Sequence, residues 1–347
     1  MIYINNNCRN GYLHKKIEAI GLDYKLVNTE RDIAENIDNQ NDIYVTKKSN
    51  KSIHQCPGTK YYRCCNYHVF DLIEGCPFEC SYCILQLLVK HPYIKVYDRL
   101  DELCNRLNKL NEKGKYRVGT GELSDSLAMD YLFGITDFII PHVNKLNNIL
   151  FEFKTKSDCI NNLMLHNPKN IIVSWSLNPD DIIEREEHNT AKLNKRIAAA
   201  KSCSEYGYKI ALHFDPIIYC EDFENRYKAL IKKVIEGLDE TNVLYISLST
   251  LRFLPEIVDM IRIKFINSDL LSSAFVHSLD GKLRYFKFLR SYMLNFVYKS
   301  FREYWKNVFI YFCMEDRILW KKIIGIDPGN RTNFENYFMG GYTCVHS

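Results

Sequence analysis

Three cysteines lie close together in one short segment, at Cys76, Cys80 and Cys83, with the spacing C-x3-C-x2-C. Cysteine thiolates are the usual ligands of iron–sulfur clusters, and a [4Fe–4S] cluster normally takes four of them. No fourth cysteine adjoins the segment, so a cluster held here leaves one iron open to a substrate or cofactor. The spacing therefore predicts a [4Fe–4S] site whose chemistry takes place at the open iron.

A zinc site and a chance grouping of buried cysteines are the alternatives for this segment. Structural zinc takes four ligands, commonly in pairs with C-x2-4-C spacing. Cys56, Cys64 and Cys65 could supply further ligands, but their spacing forms no standard zinc knuckle. Gly75 and Pro77 indicate a loop rather than a packed strand or helix, which argues against three core cysteines.

The elements that must position this loop alternate regularly along the chain. Runs rich in β-branched and aromatic residues predict six strands, at 68–72, 116–118, 150–153, 171–175, 209–214 and 243–246. Segments with helical periodicity follow or separate them, at 100–110, 131–146, 192–206, 223–238 and 255–263. Six β-then-α units predict an α/β fold in which a parallel sheet curls into a partial (β/α)6 barrel, with the site at the carboxyl ends of its strands.

Three regions are expected from this alternation. Residues 1–55 carry short strand signals around a polar middle and predict a small N-terminal α/β cap. Residues 56–265 hold the predicted barrel. Residues 266–347 lose the alternation and predict a C-terminal extension, which contains a strand-like run at 307–313 and a basic aromatic stretch that could bind substrate or DNA.

The composition is that of an ordinary globular protein, with 46% hydrophobic and 25% charged residues in a chain of 347. A formal net charge of +4 is too small to identify a nucleic-acid-binding protein by itself. The chain starts without a signal-peptide pattern and has no apolar run of membrane-span length, so a cytoplasmic location is expected. In that reducing compartment the 13 cysteines are expected to be buried, to bind metal or to react, rather than to form disulfides.

The cysteine segment resembles the signature of a known superfamily. A C-x3-C-x-aromatic-C motif after a first strand, with Tyr82 as the aromatic residue, is similar to that of radical S-adenosylmethionine enzymes, whose fold is a partial (β/α)6 barrel. The resemblance implies that the amino and carboxylate groups of S-adenosylmethionine chelate the open iron. One electron from the reduced cluster then splits the sulfonium, and a 5′-deoxyadenosyl radical abstracts hydrogen from the substrate.

Within that superfamily the chain resembles the spore photoproduct lyase family. The similarity runs from about residue 56 to about 290 as short motifs in a common order, at 80–86, 92–97, 100–103, 124–125, 154–156, 174–178, 195–200, 215–217 and 251–253. The resemblance implies a carbon–carbon lyase that uses the radical to repair thymine photoproducts in DNA.

The same resemblance implies contacts to the cofactor. Lys156, at a strand end, would pair with the cofactor carboxylate, while Ser124 and Ser176 would hydrogen-bond its ribose or amino group. Glu122, in a Thr-Gly-Glu segment, is similar to the Gly-Gly-Glu type motif that receives the cofactor's amino group through a charge-assisted hydrogen bond. From the residues alone, Lys156 could instead be a solvated lysine, and the two serines could cap helices.

Two departures from the family pattern affect the steps after the radical has formed. The lyases carry a hydrogen-donating cysteine just ahead of the Ser-Asp pair, where this chain has Glu122. A carboxylate O–H bond is far too strong to replace a thiol in that role. The lyases also carry a second tyrosine where this chain has Ile84, so Tyr82 remains as a hydrogen relay without its partner.

The stretch 284–290 falls where the family places its lesion-binding hairpin. It combines arginine and lysine with tyrosine and phenylalanine, as binding of a flipped dinucleotide requires. Aromatic residues at helical spacing also fit a buried helix face, and such a face would consist of Met293, Phe296, Val297, Phe301 and Tyr304. Both interpretations are open on sequence alone.

The sequence thus predicts a radical S-adenosylmethionine enzyme of the spore photoproduct lyase family that acts on thymine photoproducts in DNA. Its cofactors would be a [4Fe–4S] cluster and S-adenosylmethionine, and its partners damaged DNA and an electron donor such as flavodoxin or ferredoxin, with no membrane. An enzyme of the same family with another substrate is one alternative, favoured by Glu122 and Ile84. A non-catalytic iron–sulfur or zinc module is the other.

Overall fold

The computed structural model describes residues 1–34, 42–47 and 53–339. Its strands, numbered in chain order, are β1 (Ile2–Asn5), β2 (Tyr24–Val27), β3 (Ile43–Thr46), β4 (His54–Gln55), β5 (His68–Val69), β6 (Ile73–Glu74), β7 (Glu79–Cys80), β8 (Ile94–Tyr97), β9 (Tyr116–Gly119), β10 (Ile149–Thr155), β11 (Ile171–Ser176), β12 (Glu187–His188), β13 (Lys209–Ile217), β14 (Val243–Thr250), β15 (Arg252–Phe253), β16 (Phe275–His277), β17 (Leu283–Tyr285) and β18 (Phe309–Phe312).

The α-helices of the described residues connect or flank these strands. They are α1 (Tyr12–Ile20), α2 (Arg31–Ala34), α3 (Leu85–Leu88), α4 (Leu100–Lys113), α5 (Asp130–Phe133), α6 (Ile135–Val143), α7 (Asp180–Glu186), α8 (Leu193–Tyr206), α9 (Phe223–Gly237), α10 (Ile257–Lys264), α11 (Lys287–Tyr304), α12 (Arg317–Ile323) and α13 (Arg331–Met339). None of these helices combines the length and the apolar character that a bilayer span requires.

The chain divides into two compact units, and the first comprises residues 1–55, 68–78 and 85–171. One sheet of this unit has the order β2-β1-β3-β8-β6, in which all neighbours are parallel except β6. A second run of strands, β4-β5-β9-β10, is parallel except for β4. Parallel strands need crossover connections between them. Helix α4 lies between β8 and β9 along the chain, and α6 lies between β9 and β10.

The second unit comprises residues 56–67, 79–84 and 172–347. Its core is a parallel run with the order β11-β13-β14-β18. Two smaller antiparallel arrangements accompany it, the three strands β15-β17-β16 and the short pair of β7 with β12. The pair of β7 with β12 lies at the predicted cluster site, because β7 carries Cys80.

All six predicted strands are present, as β5, β9 and β10 in the first unit and β11, β13 and β14 in the second. The predicted helix at 131–146 is interrupted, because Gly134 adopts a left-handed conformation with φ of +55° and separates α5 from α6. The strand-like run at 307–313 is β18, which pairs in parallel with β14. The predicted region boundaries at 55 and 265 stay predictions.

Most of the basic aromatic stretch in the C-terminal region lies in α11, the longest helix among the described residues. Met293, Val297 and Phe301 are fully buried, which confirms the predicted apolar face at these positions. Tyr304 is 59% exposed, so its place on that face was wrong. The helix ends directly after Tyr304, where the chain turns toward β18.

We predict that Phe301→Ala lowers the free energy of unfolding by about 3–5 kcal/mol, because it removes a fully buried ring that packs edge-on against Phe214 at 5.2 Å. Urea unfolding followed by circular dichroism measures the change. Tyr304→Ala, on the same helix, should shift the unfolding free energy by no more than about 0.5 kcal/mol. Equal effects of the two substitutions would contradict the packing described for α11.

Candidate functional site

In the first unit, Cys76 follows β6 and is held through its neighbours. Gly75 has φ of +100°, a conformation that favours glycine, and its N–H donates to the carbonyl oxygen of Leu123 at 3.0 Å. Glu74 accepts a hydrogen bond from the Tyr97 hydroxyl at 2.7 Å. The start of the cysteine segment is therefore attached to the loop that follows β9.

That loop, residues 120–126, is bound closely to β10. Ser126 donates its N–H to the Lys154 carbonyl oxygen at 3.1 Å, and its Oγ accepts from the Lys154 N–H at 3.2 Å and from Thr120 Oγ1 at 3.0 Å. A Cβ on Gly121 would lie 3.0 Å from Cβ of Lys154, so only glycine fits without displacement. The loop therefore has a fixed position relative to the end of β10.

Asp125 is the centre of this attachment, and sequence analysis gave it no role of its own. Its Oδ1 accepts from Thr155 Oγ1 at 2.7 Å and from the N–H groups of Leu127 and Ala128 at 3.0 and 2.9 Å. Its Oδ2 accepts from the Lys156 N–H at 2.6 Å. The buried carboxylate thus fixes Ser124 and Lys156, two of the predicted cofactor contacts, next to each other on the backbone.

Ser124 and Glu122 present polar atoms in the same loop. Oγ of Ser124 is buried and, among the described residues, has no hydrogen-bond partner. A buried hydroxyl without a partner costs free energy, and a bound polar ligand would remove that cost. Glu122 is 28% exposed, and its Oε2 lies 3.3 Å from Nε2 of His54.

In the second unit, Cys80 and Cys83 occupy one tight turn. The Cys83 N–H donates to the Cys80 carbonyl oxygen at 3.1 Å, and Cys80 pairs with Glu187 in the β7–β12 ladder. Between the two cysteines, Ser81 donates its N–H to the Glu186 carbonyl oxygen at 2.9 Å, and its hydroxyl contacts the Glu186 carboxylate. The turn is therefore held from both its backbone and its side chains.

Tyr82 joins a buried ion pair. Its hydroxyl donates to Oε1 of Glu187 at 2.5 Å, and Oε2 of Glu187 lies 2.7 Å from Nη1 of Arg196, with both charged side chains fully buried. Burial, followed by the Glu187 charge, raises the pKa of Tyr82 well above its ordinary value, so the phenol stays protonated. The ring is thus fixed at its oxygen by a carboxylate acceptor.

The same ion pair reaches Ser176 at the end of β11. Nη1 of Arg196 donates to the Ser176 carbonyl oxygen at 2.8 Å, and Nδ2 of Asn178 donates to Oε1 of Glu187 at 2.9 Å. Ser176 itself is 3% exposed. Glu187 and Arg196 therefore hold the Cys80–Cys83 turn and the end of β11 in one bonded arrangement, which sequence analysis missed because the partners are far apart in sequence.

The donor set fits the predicted cluster by its chemistry. Cys80 is buried at the end of the short strand β7, and Cys76 and Cys83 are half-buried outside strands and helices. Thiol sulfur is the ligand that iron–sulfur clusters require. Within the described ranges, no three His, Cys, Asp or Glu side chains stand together as a metal-ligating group. Ser124 adds a buried hydroxyl that has no hydrogen-bond partner among the described residues.

The stretch 284–290 divides between two structural roles. Arg284 and Tyr285 end β17 of the β16–β17 hairpin and are buried, and Arg290 is buried in α11, where it binds Glu315. Only the residues between them face solvent, with Phe286 59% and Phe288 77% exposed. Most of the charge that suggested a nucleic-acid contact is therefore used inside the protein.

Comparison with known proteins places the chain in a family. The family model described as "Spore photoproduct lyase" matches residues 12–309. The spore photoproduct lyase of Clostridium acetobutylicum is 28% identical over 229 residues, 64% of this chain and 65% of that protein. That of Bacillus subtilis is 28% identical over 179 residues, 50% of this chain and 52% of that protein. The matched region thus spans between half and two thirds of these relatives' length.

Solved structures establish the fold. A spore photoproduct lyase variant with bound AdoMet and dinucleoside spore photoproduct superimposes with a TM-score of 0.76 at 21% identity, covering 90% of this chain and 98% of that one. A spore photoproduct lyase complexed with dinucleoside spore photoproduct gives a TM-score of 0.76 at 18% identity with the same coverage. The predicted α/β fold of the radical S-adenosylmethionine type is confirmed. On the extent of the family match, the chain belongs to the spore photoproduct lyase family.

Proposed function

We propose that this protein is a radical S-adenosylmethionine enzyme that repairs thymine photoproducts in DNA. Membership of the spore photoproduct lyase family supports the reaction class. The observation that carries the proposal is the arrangement of the cysteine segment, whose two ends are bonded to the loops and strand ends that bear the predicted cofactor contacts.

Cys76, Cys80 and Cys83 would hold a [4Fe–4S] cluster. When bound and reduced, the cluster supplies the electron that cleaves S-adenosylmethionine. The protein's own contribution is to fix the ligands. Gly75, bonded to Leu123, positions Cys76, and the β7–β12 pairing positions Cys80.

Four side chains would bind S-adenosylmethionine. Glu122 would accept from its amino group through a charge-assisted hydrogen bond, and Lys156 would pair with its carboxylate. Ser124 would gain the partner that its buried Oγ lacks within the described residues. Ser176 would contact the cofactor from the end of β11, where Arg196 fixes its carbonyl oxygen.

Tyr82 would relay a hydrogen atom during turnover, and Glu187 would hold its hydroxyl in place. The phenol donates to Oε1 of Glu187 at 2.5 Å, which holds the ring in one orientation. Nη1 of Arg196 lies 2.7 Å from the same carboxylate, and both side chains are fully buried.

A different substrate within the same family is the second candidate. Glu122 stands where the lyases carry a donating thiol, and in this protein it is paired with Nε2 of His54 at 3.3 Å. Ile84 stands where the lyases carry a second relay tyrosine, and it is 39% exposed. Neither side chain can give up a hydrogen atom, so quenching of the product radical must differ from that in the lyases.

Anaerobic reconstitution and a repair assay test the function. We predict about four irons per chain and an electron paramagnetic resonance signal of the reduced cluster that changes when S-adenosylmethionine is added. With dithionite and dinucleoside spore photoproduct, the product should be thymine monomers. Formation of 5′-deoxyadenosine without thymine would favour the second candidate, and zinc in place of iron would contradict both.

Matched cysteine variants belong to the same experiment. Cys76→Ala, Cys80→Ala and Cys83→Ala should each abolish 5′-deoxyadenosine formation. Cys159→Ala and Cys220→Ala, which change half-buried cysteines outside the segment, should leave iron content and 5′-deoxyadenosine unchanged. Loss of iron in the two controls would mean that the cluster ligands are assigned wrongly.

We predict that Glu122→Gln chiefly weakens cofactor binding. Losing a charge-assisted hydrogen bond costs about 1.5–3 kcal/mol, which raises the dissociation constant of S-adenosylmethionine by about 10- to 100-fold. Isothermal titration of the anaerobic, cluster-loaded protein measures the constant. Intact affinity combined with a changed product would instead assign Glu122 to the chemistry after the radical.

Tyr82→Phe separates a relay from a structural anchor. It removes the hydroxyl but keeps the ring, so we expect normal iron content and 5′-deoxyadenosine formation, while thymine formed per 5′-deoxyadenosine falls by about tenfold or more. Tyr44→Phe is the control, because it removes another buried hydroxyl, the one that accepts from Nδ2 of Asn5 at 2.8 Å and takes no part in the Glu187 network. It should leave that ratio within about twofold of the unmodified protein, as expected for a residue without a role in turnover. A native ratio in Tyr82→Phe would reduce Tyr82 to an anchor of the cysteine turn.

A further inference from the structure

A cavity of about 390 Å³ in the second unit is not part of the site described above. Tyr61, Tyr62, Leu279, Lys287, Arg317 and Ile318 contribute to its walls. Its residues 316–318 follow β18 closely along the chain, so the cavity lies toward the carboxyl end of that strand. In β/α folds, ligands bind at this end of the parallel strands.

Large apolar side chains around this cavity are unusually exposed. Leu279 is 77%, Tyr61 62% and Ile318 58% exposed, and Phe286 and Phe288 flank Lys287 in sequence at 59% and 77%. Isolated exposed apolar residues are common, but a group of them beside one concavity indicates a binding surface. We call Tyr61, Leu279, Phe286, Phe288 and Ile318, with the cations beside them, the aromatic–basic surface.

Cations at this surface fall into two groups. Arg63 is bound to Asp327 by two hydrogen bonds at 2.7 and 2.8 Å, and Arg290 is bound to Glu315, so both are committed to the fold. Arg317, by contrast, is exposed, and no carboxylate of the described residues pairs with it.

The other two available cations are Lys60 and Lys287. Lys60 lies 5.3 Å from the centroid of the Tyr61 ring, and Lys287 is 46% exposed and pairs with Asp316 at 3.2 Å. With Arg317 they give three exposed cations and one acid, so the surface favours an anion.

The backbone under Tyr61 supports a role for its ring. Tyr61 has φ of +73°, a conformation that is costly for a bulky residue, yet its side chain gains little burial. The adjoining residue is firmly held, because the Tyr62 ring lies under the Arg284 guanidinium at 4.1 Å and Arg284 is itself paired with Asp280 at 2.7 Å. An exposed aromatic ring on a fixed backbone is suited to stacking.

We propose that the aromatic–basic surface binds a nucleotide of the DNA strand outside the reacting dinucleotide. Stacking on exposed aromatic rings together with cations for the phosphates is the combination that binds nucleic-acid strands without reading their sequence. Arg317 and Lys287 contact phosphate, and Tyr61 stacks on a base. The inference extends the proposed function, because it adds an anchor for the strand that carries the lesion.

Fluorescence anisotropy with a labelled oligothymidylate of about twelve nucleotides tests the proposal on the full-length protein. Tyr61→Gly removes the ring while suiting the left-handed backbone, and Arg317→Glu reverses the unpaired charge. Each should raise the dissociation constant by about tenfold, and Arg317→Glu should lower the slope of log affinity against log salt by about one.

Two matched variants on α11 serve as controls. Tyr304→Ala removes a tyrosine that is 59% exposed, close to the value for Tyr61, and Lys299→Glu reverses an exposed lysine. Both should bind the oligonucleotide within about twofold of the unmodified protein, as expected for residues outside the contact. Urea unfolding midpoints no lower than that of the unmodified protein in all four variants show that the fold is intact.

Three results would overturn the inference. They are a native dissociation constant weaker than about 100 µM at low salt, equal affinities of the surface and control variants, and competition by polyglutamate as strong as by unlabelled oligonucleotide. Repair of free dinucleoside spore photoproduct is measured separately and should be unaffected by Tyr61→Gly. Failure of that repair in the unmodified protein counts against the proposed function, while oligonucleotide binding alone decides the surface.

Discussion

The ion pair of Glu187 with Arg196 constrains the candidate site of the second unit more than any other contact. Both side chains are fully buried, and a buried charge is tolerated only when it is paired and its remaining polar atoms are bonded. Tyr82 and Asn178 complete the bonding of Glu187, while Arg196 also binds the Ser176 carbonyl oxygen. The cysteine turn, its aromatic residue and the end of β11 therefore have to adopt one arrangement together.

In the first unit, Asp125 fixes part of the candidate site through hydrogen bonds instead of an ion pair. Instead of a countercharge, its carboxylate receives hydrogen bonds from two turn N–H groups, a threonine hydroxyl and the N–H of Lys156. Three of these four donors are backbone N–H groups, so the carboxylate mainly fixes the backbone. The consequence is that Lys156 is placed through its peptide group.

In the segment from Arg284 to Tyr304, some basic and aromatic residues are buried in the fold and others face solvent. Arg284 and Arg290 are buried in ion pairs, and Met293, Val297 and Phe301 fill the core. The residues at the start of α11 face solvent and contribute to the aromatic–basic surface instead. Charge and aromatic content alone do not separate these roles, because burial decides whether an arginine stabilises the fold or meets a ligand.

Sequence alone determined the six parallel strands, the cysteine motif and the family, because each depends on local spacing or on order along the chain. Propensity and periodicity act over a few residues, so β11, β13 and α8 could be predicted from them. The expected roles of Cys76, Cys80, Cys83, Tyr82, Glu122, Ser124, Lys156 and Ser176 rest on a resemblance and remain proposals.

Only the tertiary structure decided which residues hold those positions in place. Glu187 meets Tyr82 across a gap of 105 residues and Asp125 meets Lys156 across 31, and no local pattern marks either pair. The parallel pairing of β18 with β14 was likewise decided by the tertiary structure, because it is a contact between distant segments. Burial and hydrogen bonding between distant residues depend on the folded chain, and short motifs do not contain that information.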